Sequence, residues 1–173
     1  TVEFLAIGAH AVRRSDIGAG QRALVIGAGP IGLRTAIFAQ IAGAEVTVLD
    51  AAADKVASGR GLGFSASALS EVENDAFKRS RGTGFDIVLD ATGSLRSMAA
   101  AISYARNGGA LTLVGVTSGD LVWPDSEVHR RELTIRASRN ATEADFMHVM
   151  HSIETGRVPT TKLATHATDL DAV

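Results

Sequence analysis

The sequence contains no cysteine, a single tryptophan and a single tyrosine among its 173 residues. Without cysteine there is no disulfide and no cysteine-ligated metal within this chain. A formal charge of -2 gives no electrostatic reason to expect nucleic acid or an anionic membrane as partner. No apolar run approaches the ~18 residues that a membrane span needs, and no signal-peptide pattern opens the chain, so the cytoplasm is the expected compartment. Nucleophile-elbow, metalloprotease and phosphate-loop patterns are missing as well, which leaves hydrolysis and nucleoside-triphosphate chemistry without support. There is no internal repeat, low-complexity tract or second domain.

What remains is an ordinary globular composition, 46% hydrophobic and 21% charged. The length suits one domain, large enough to bury roughly two-thirds of its unfolded surface. The chain opens on an apolar stretch at Phe4–Ile7 and stops within the acidic and apolar run Asp169–Val173. Both ends are expected to be cuts through a longer protein.

Apolar positions recur at helical spacing at Phe4, Ile7, Ala11 and Val12, and again at Ile31, Leu33, Ala36, Ile37 and Ile41. Between them, Ala23–Ile26 is a short continuous apolar run of the kind buried on both faces of a parallel sheet. Val46–Leu49, ending at Asp50, repeats it, and further strands are expected at Phe64–Ser67, Phe85–Leu89, Ala110–Val114 and Leu133–Ala137. Helices are expected over Asp54–Arg60, Glu71–Ser80, Leu95–Ala105 and Glu143–Thr155. Asn107–Gly109 is the expected terminator of the third of these. Strands alternating with helices predict an α/β fold of three layers, a doubly wound parallel six-stranded sheet with ligands beyond the strands' carboxyl ends.

Gly27-Ala28-Gly29-Pro30-Ile31-Gly32 fits the glycine fingerprint of a dinucleotide site, directly after one strand and opening a helix. Gly27 permits the tight turn, Gly29 lets a pyrophosphate approach the backbone, and Gly32 lets helix and strand pack closely. The helix mouth attracts the diphosphate, and Pro30 costs little where its N–H would be unpaired anyway. Asp50 stands 18 residues beyond Gly32 at the end of the second strand. There its carboxylate accepts bonds from ribose hydroxyls and repels a 2′-phosphate, which favours NAD over NADP. No arginine follows at Ala51, Ala52 or Ala53 to reverse the choice. A plainer reading makes Asp50 an N-cap for the next helix and Lys55 a solvated lysine.

On these residues the chain resembles the medium-chain dehydrogenase/reductase superfamily in its zinc-dependent polyol and sugar-acid branch. The resemblance runs from Glu3–Ile17 through Ala23–Gly32 and Val46–Asp50 to Asp90-Ala91-Thr92-Gly93 and Leu113–Val116. It continues at His129–Leu133, Ala137–Thr142, Gly156–Val158 and Thr165-His166. His129-Arg130-Arg131-Glu132 and Ser138–Thr142 point within it to the L-galactonate-like group.

The resemblance implies that Gly29, Pro30 and Ile31 hold the pyrophosphate, and Asp50 with Lys55 the adenosine ribose. Thr92 would flank the adenine, and Val114, Val116, Ser138 and Asn140 the nicotinamide. Plainer readings leave Val114 as core and Gly93 as a turn. Glu3 would lie beside the catalytic zinc, as a ligand or a partner of its bound water. The family's usual Glu-Pro is Glu3-Phe4 here, and an acid in a helix's first turn also needs no metal to explain it. The resemblance further implies that residues 1–18 link to a separate catalytic domain, residues 19–163 bind NAD, and residues 164–173 begin the return. It implies hydride transfer between NAD and a secondary alcohol of a polyol or sugar acid, with zinc held in that other domain. It also implies a homodimer or higher homo-oligomer, for which Leu121–Trp123 is the expected contact. A loop packing Trp123 on its own sheet is the plainer alternative.

The residues leave three other readings open. One is a zinc-free quinone or enoyl reductase, another a stand-alone NAD-sensing module, and the third a methyltransferase using the glycine turn for S-adenosylmethionine. His148 and His151 share a helical face but lack the further ligands a metal needs. His10 and His129 read as packing or surface residues.

Overall fold

The computed structural model describes residues 2–68 and 83–163. The helix expected at Glu71–Ser80, the pair Thr165-His166 and the return segment 164–173 lie outside these residues. Six strands form one sheet: β1 (Arg22–Ile26), β2 (Glu45–Asp50), β3 (Ser65–Ala68), β4 (Phe85–Asp90), β5 (Ala105–Leu113) and β6 (Thr134–Ala137). Their order across the sheet is β3-β2-β1-β4-β5-β6 and every pairing is parallel. The expected doubly wound sheet is therefore present, and the order reverses direction between β1 and β4, where such sheets open a crevice.

Alternation within the strands explains the two covered faces. Ala23 and Val25 point into one apolar cluster and Leu24 and Ile26 into the other, and Ile87 and Leu89 part from Val88 in the same way. The first cluster is closed by α1 (Val2–Arg14), α2 (Pro30–Ile41), α3 (Ala53–Gly61), α6 (Glu143–Glu154) and α7 (Thr160–Leu163). The second is closed by α4 (Leu95–Ala101), the 3-10 turn Ile102–Tyr104, Trp123 and Leu133. A further short helix, α5 (Asp125–Arg130), precedes β6. Full burial on both faces is what allowed the strand runs to be continuous rather than alternating.

Two features of packing bear on the site. At Gly8 a Cβ would stand 2.7 Å from the Thr35 backbone nitrogen and 2.8 Å from the Arg34 carbonyl carbon. Helix α1 thus meets α2 backbone to backbone, which only glycine permits. The second feature corrects the sequence expectation. The helix expected over Leu95–Ala105 stops at Ala101, and Asn107–Gly109 lies inside β5. The pairing steps from Phe85 opposite Ala105 to Ile87 opposite Ala110, so β5 bulges outward across Arg106–Gly109. Arg106 Nε donates to Asp86 at 2.5 Å, and the Gly108 amide donates to the Arg131 carbonyl at 2.7 Å. The turn signal was correct, but those bonds to Asp86 and Arg131 fold it into a strand bulge instead of a helix end.

Candidate functional site: the loops at the strand ends

The registers place Asp90 beside both Ile26 and Leu113, and Leu113 beside Ala137, so the carboxyl ends of β1, β4, β5 and β6 line up. The loops that leave them carry most of the residues singled out from the sequence.

The glycine turn has the geometry its spacing implies. Gly27 adopts φ +99° and its amide donates to the Leu49 carbonyl at 2.7 Å, joining β1's end to β2's. A Cβ at Gly32 would stand 1.7 Å from the Gly27 carbonyl oxygen, whereas one at Gly29 meets no atom within 4 Å. Gly32 closes the turn against the helix and Gly29 leaves open ground in front of it. Pro30 is the first residue of α2 and Gly29 its extended N-cap, with no side chain capping the helix mouth. The free amides there present positive partial charge to an anion.

Asp50 is part-buried at the tip of β2. Its Oδ2 accepts from the Ala28 amide at 2.7 Å and its Oδ1 from the Ala52 amide at 2.9 Å. The N-cap of α3 is Ala52, so the plainer reading of Asp50 as that cap does not hold. The carboxylate instead ties the glycine turn to the loop after β2, and each oxygen keeps a lone pair for another donor. Lys55 lies exposed in the first turns of α3.

Beyond β4 the organiser is Asp90, a residue the sequence reading quoted but gave no role. It is wholly buried, and its carboxylate accepts from the Thr92 amide (2.9 Å), the Thr92 hydroxyl (2.6 Å) and the Ser97 hydroxyl (2.6 Å). Its backbone carbonyl takes the amides of Val114 and Gly115. Thr92 is thereby held against the glycine turn: its Cγ2 lies 3.1 Å from where a Gly27 Cβ would be. A Cβ at Gly115 would come within 2.4 Å of the Gly93 nitrogen, so the loops after β4 and β5 touch through bare backbone. Gly93 is indeed in a turn conformation at φ +67°, but it is also a contact point.

Val114 is buried in the first core cluster, as its plainer reading had it, while Val116 is 81% exposed on the loop beyond. Ser138 is buried, its amide bonded to the Leu113 carbonyl at 2.9 Å, and Asn140 is exposed with φ +56°. The loops thus bring both Asp50 and Thr92 against the Gly27–Gly32 turn. Val116, Ser138 and Asn140 follow neighbouring strand ends further along the sheet.

The described histidines follow expectation except His10. His148 packs its ring against Phe38 at 5.4 Å between centroids, and His129 lies exposed in α5. His10 is more than a packing residue: its Nδ1 lies 2.8 Å from Asp145 Oδ2 in the buried seam between α1 and α6. Nothing local in the sequence signals this pair, since the partners are 135 residues apart.

The residues present fit a dinucleotide on the open ground before Gly29 and beside Asp50. They do not fit zinc. Glu3 stands exposed in the first turn of α1, and among the described residues there is no grouping of three or more histidine, cysteine, aspartate or glutamate side chains. Zinc requires three or four such ligands.

The profile of zinc-binding dehydrogenases matches residues 30–155, the span from the glycine turn to the end of α6. The chain belongs to that family. L-galactonate-5-dehydrogenase of Escherichia coli K12 is 36% identical over 168 residues, covering 95% of this chain and 49% of its own length. Sorbitol dehydrogenase of Arabidopsis thaliana is 30% identical over 141 residues, 77% of this chain and 39% of its own. Among solved structures, an oxidoreductase/dehydrogenase of unknown specificity from Escherichia coli superposes with a TM-score of 0.88 at 26% identity, over 95% of this chain and 48% of its own. The chain spans about half the length of the curated relatives it matches. The resemblance to zinc-dependent medium-chain dehydrogenases read from the motifs is therefore correct, and the relatives named are a sugar-acid and a polyol dehydrogenase.

Proposed function

We propose that this chain is the NAD-binding half of a zinc-containing dehydrogenase that moves a hydride between NAD and a secondary alcohol of a polyol or sugar acid. The observation that carries this reading is Asp50, fixed at the tip of β2 by the Ala28 and Ala52 amides beside the glycine turn. A carboxylate already held there accepts ribose hydroxyls without reorienting, and its charge opposes a 2′-phosphate. Gly29, Pro30 and Ile31 would cradle the pyrophosphate at the mouth of α2, and Thr92 would border the adenine. Val114 and Val116, with the backbone of Ser138 and Asn140, would orient the nicotinamide. NAD, when bound, supplies the hydride acceptor or donor. What these residues do is hold it in one orientation and exclude the phosphorylated cofactor. The metal implied by the family would have to be held outside the described residues, so the chain alone binds NAD(H) and turns over no alcohol.

The assembly proposed is a homodimer formed along the β6 edge, with the Leu121–Trp123 segment beside it. Trp123 itself is committed to its own fold, because its indole N–H donates to the Ala99 carbonyl at 3.0 Å. Val122, 79% exposed, and Ile135, 37% exposed on the edge strand, are the side chains available to a second copy. Sedimentation at high concentration should give a dimer, and a strict monomer would remove this part.

The cofactor reading is tested by titrating NADH, NADPH and S-adenosylmethionine, followed by calorimetry or by energy transfer from the single tryptophan. NADH should bind at least about tenfold more tightly than NADPH, and Asp50→Arg should reverse the order. Indifference to NADH at millimolar concentration, or binding of S-adenosylmethionine in its place, would overturn it.

A further inference from the structure

We propose that the last turn of α1 sets the position of the loop at residues 138–141, with Asp145 as the positioning residue for the nicotinamide half of the cofactor. The inference rests on the NAD reading above and adds a device to it.

The loop is held at both of its ends from the last turn of α1 and the two residues that follow it. On the β6 side, Arg136 Nη1 donates to the Ser15 carbonyl at 2.9 Å and its Nη2 pairs with Asp16 at 3.0 Å. Arg14 reaches the Ala137 carbonyl at 3.5 Å, and Ser15 itself is buried with its hydroxyl on Thr112 of β5 at 2.8 Å. On the α6 side, Asp145 is 2% exposed and gathers five donors. Arg13 Nε donates to its Oδ1 at 2.8 Å. Its Oδ2 accepts from His10 Nδ1 and the Thr142 amide at 2.8 Å, the Thr142 hydroxyl at 2.7 Å and Arg13 Nη2 at 3.1 Å. Arg13 Nη2 also donates to the Thr142 hydroxyl oxygen at 3.2 Å.

The chemistry of the hub is one-directional. Burial opposes the charge on Asp145, but Arg13, Thr142 and His10 outweigh it and hold the carboxyl well below the usual carboxylate range. An ionised carboxylate only accepts, so His10 must carry its proton on Nδ1 and donate. The 3.0 Å approach of Arg13 Nη2 to that same nitrogen is then proximity, not a bond. Each partner has one assignment, and the start of α6 is fixed by the end of α1.

Between the two anchors Asn140 sits at φ +56°, the left-handed region that asparagine enters more readily than most residues. Because this loop leaves the β6 end of the cleft, while Asp50 and the glycine turn sit at the β1–β2 end, loosening the anchors should cost the nicotinamide contacts and spare the adenosine ones.

ADP-ribose, which is NAD without its nicotinamide, separates the two. Arg13→Ala and Asp145→Asn on the full chain should weaken NADH about fivefold to tenfold by calorimetry, and change ADP-ribose binding by less than about twofold. Arg13→Lys, which keeps one charged donor, should recover part of the loss. Equal losses for both ligands, or no loss for either, overturn the inference. Should the unaltered chain bind ADP-ribose as tightly as NADH, the loop does not hold nicotinamide; the inference then falls and the Asp50 reading stands. Should it bind neither, both fall. If Asp145→Asn does not fold, Arg13→Ala carries the test, since the Arg13 side chain is 54% exposed.

Discussion

The two ends of the cleft are built by different means. At the β1–β2 end the working parts lie close in sequence, and most of them are backbone: the Gly27 turn, the empty space before Gly29, and the Ala28 amide on Asp50. At the β4–β6 end side chains do the organising, through Asp90 on Thr92 and Ser97 and through Asp145 on Arg13 and His10. The first end is a shape that glycine makes available. The second is a set of buried charges and hydroxyls that must all be satisfied together.

The sharpest way to break that comparison is at the glycines. Gly32→Ala should destabilise the fold by about 3 kcal/mol or more, because its Cβ would overlap a backbone oxygen that cannot move aside. Gly29→Ala should leave the urea midpoint unchanged, since its backbone is extended and its Cβ meets nothing, yet weaken NADH at least about tenfold. If the two variants behaved alike, the division of labour between them would be wrong. Next in size, Asp90→Ala should cost about 2–3 kcal/mol in urea unfolding by stranding three donors around a buried site.

Acid unfolding probes the other hub. Asp145's carboxyl is lowered in the folded chain, so its contribution is complete above the ordinary carboxylate value of about 4. It is lost as pH falls from there through the lowered folded value. Asp145→Asn should therefore be less stable than the parent at neutral pH, and the gap should narrow below about pH 4. A gap independent of pH would mean that the charge contributes nothing. The smallest effect is expected at Trp123→Phe, which removes one indole bond to Ala99 and should cost about 1 kcal/mol.

The same contrast explains what could be read from the sequence. The strands were legible because a sheet buried on both faces demands continuous apolar runs, and Ala23–Ile26 and Phe85–Leu89 supply them. The glycine turn and Asp50 were legible because their spacing is local. Asn107–Gly109 was read as a helix end because the sequence does not show that Asp86 would draw Arg106 into a bulge. Asp90 carried a motif but no role, since its donors at Thr92 and Ser97 are ordinary hydroxyl residues until a fold buries them. The Asp145 hub was invisible for a plainer reason: its Arg13 and His10 partners are 132 and 135 residues away. No periodicity spans such a gap.

Gly8 has a mechanical consequence. With no side chain between α1 and the Arg34–Thr35 backbone, those two helices have no cushion over which to slide. A shift of one is therefore passed to the other, which couples the glycine turn at the head of α2 to Arg13 at the tail of α1. A bulkier residue at Gly8 would prise the two helices apart and disturb both ends at once.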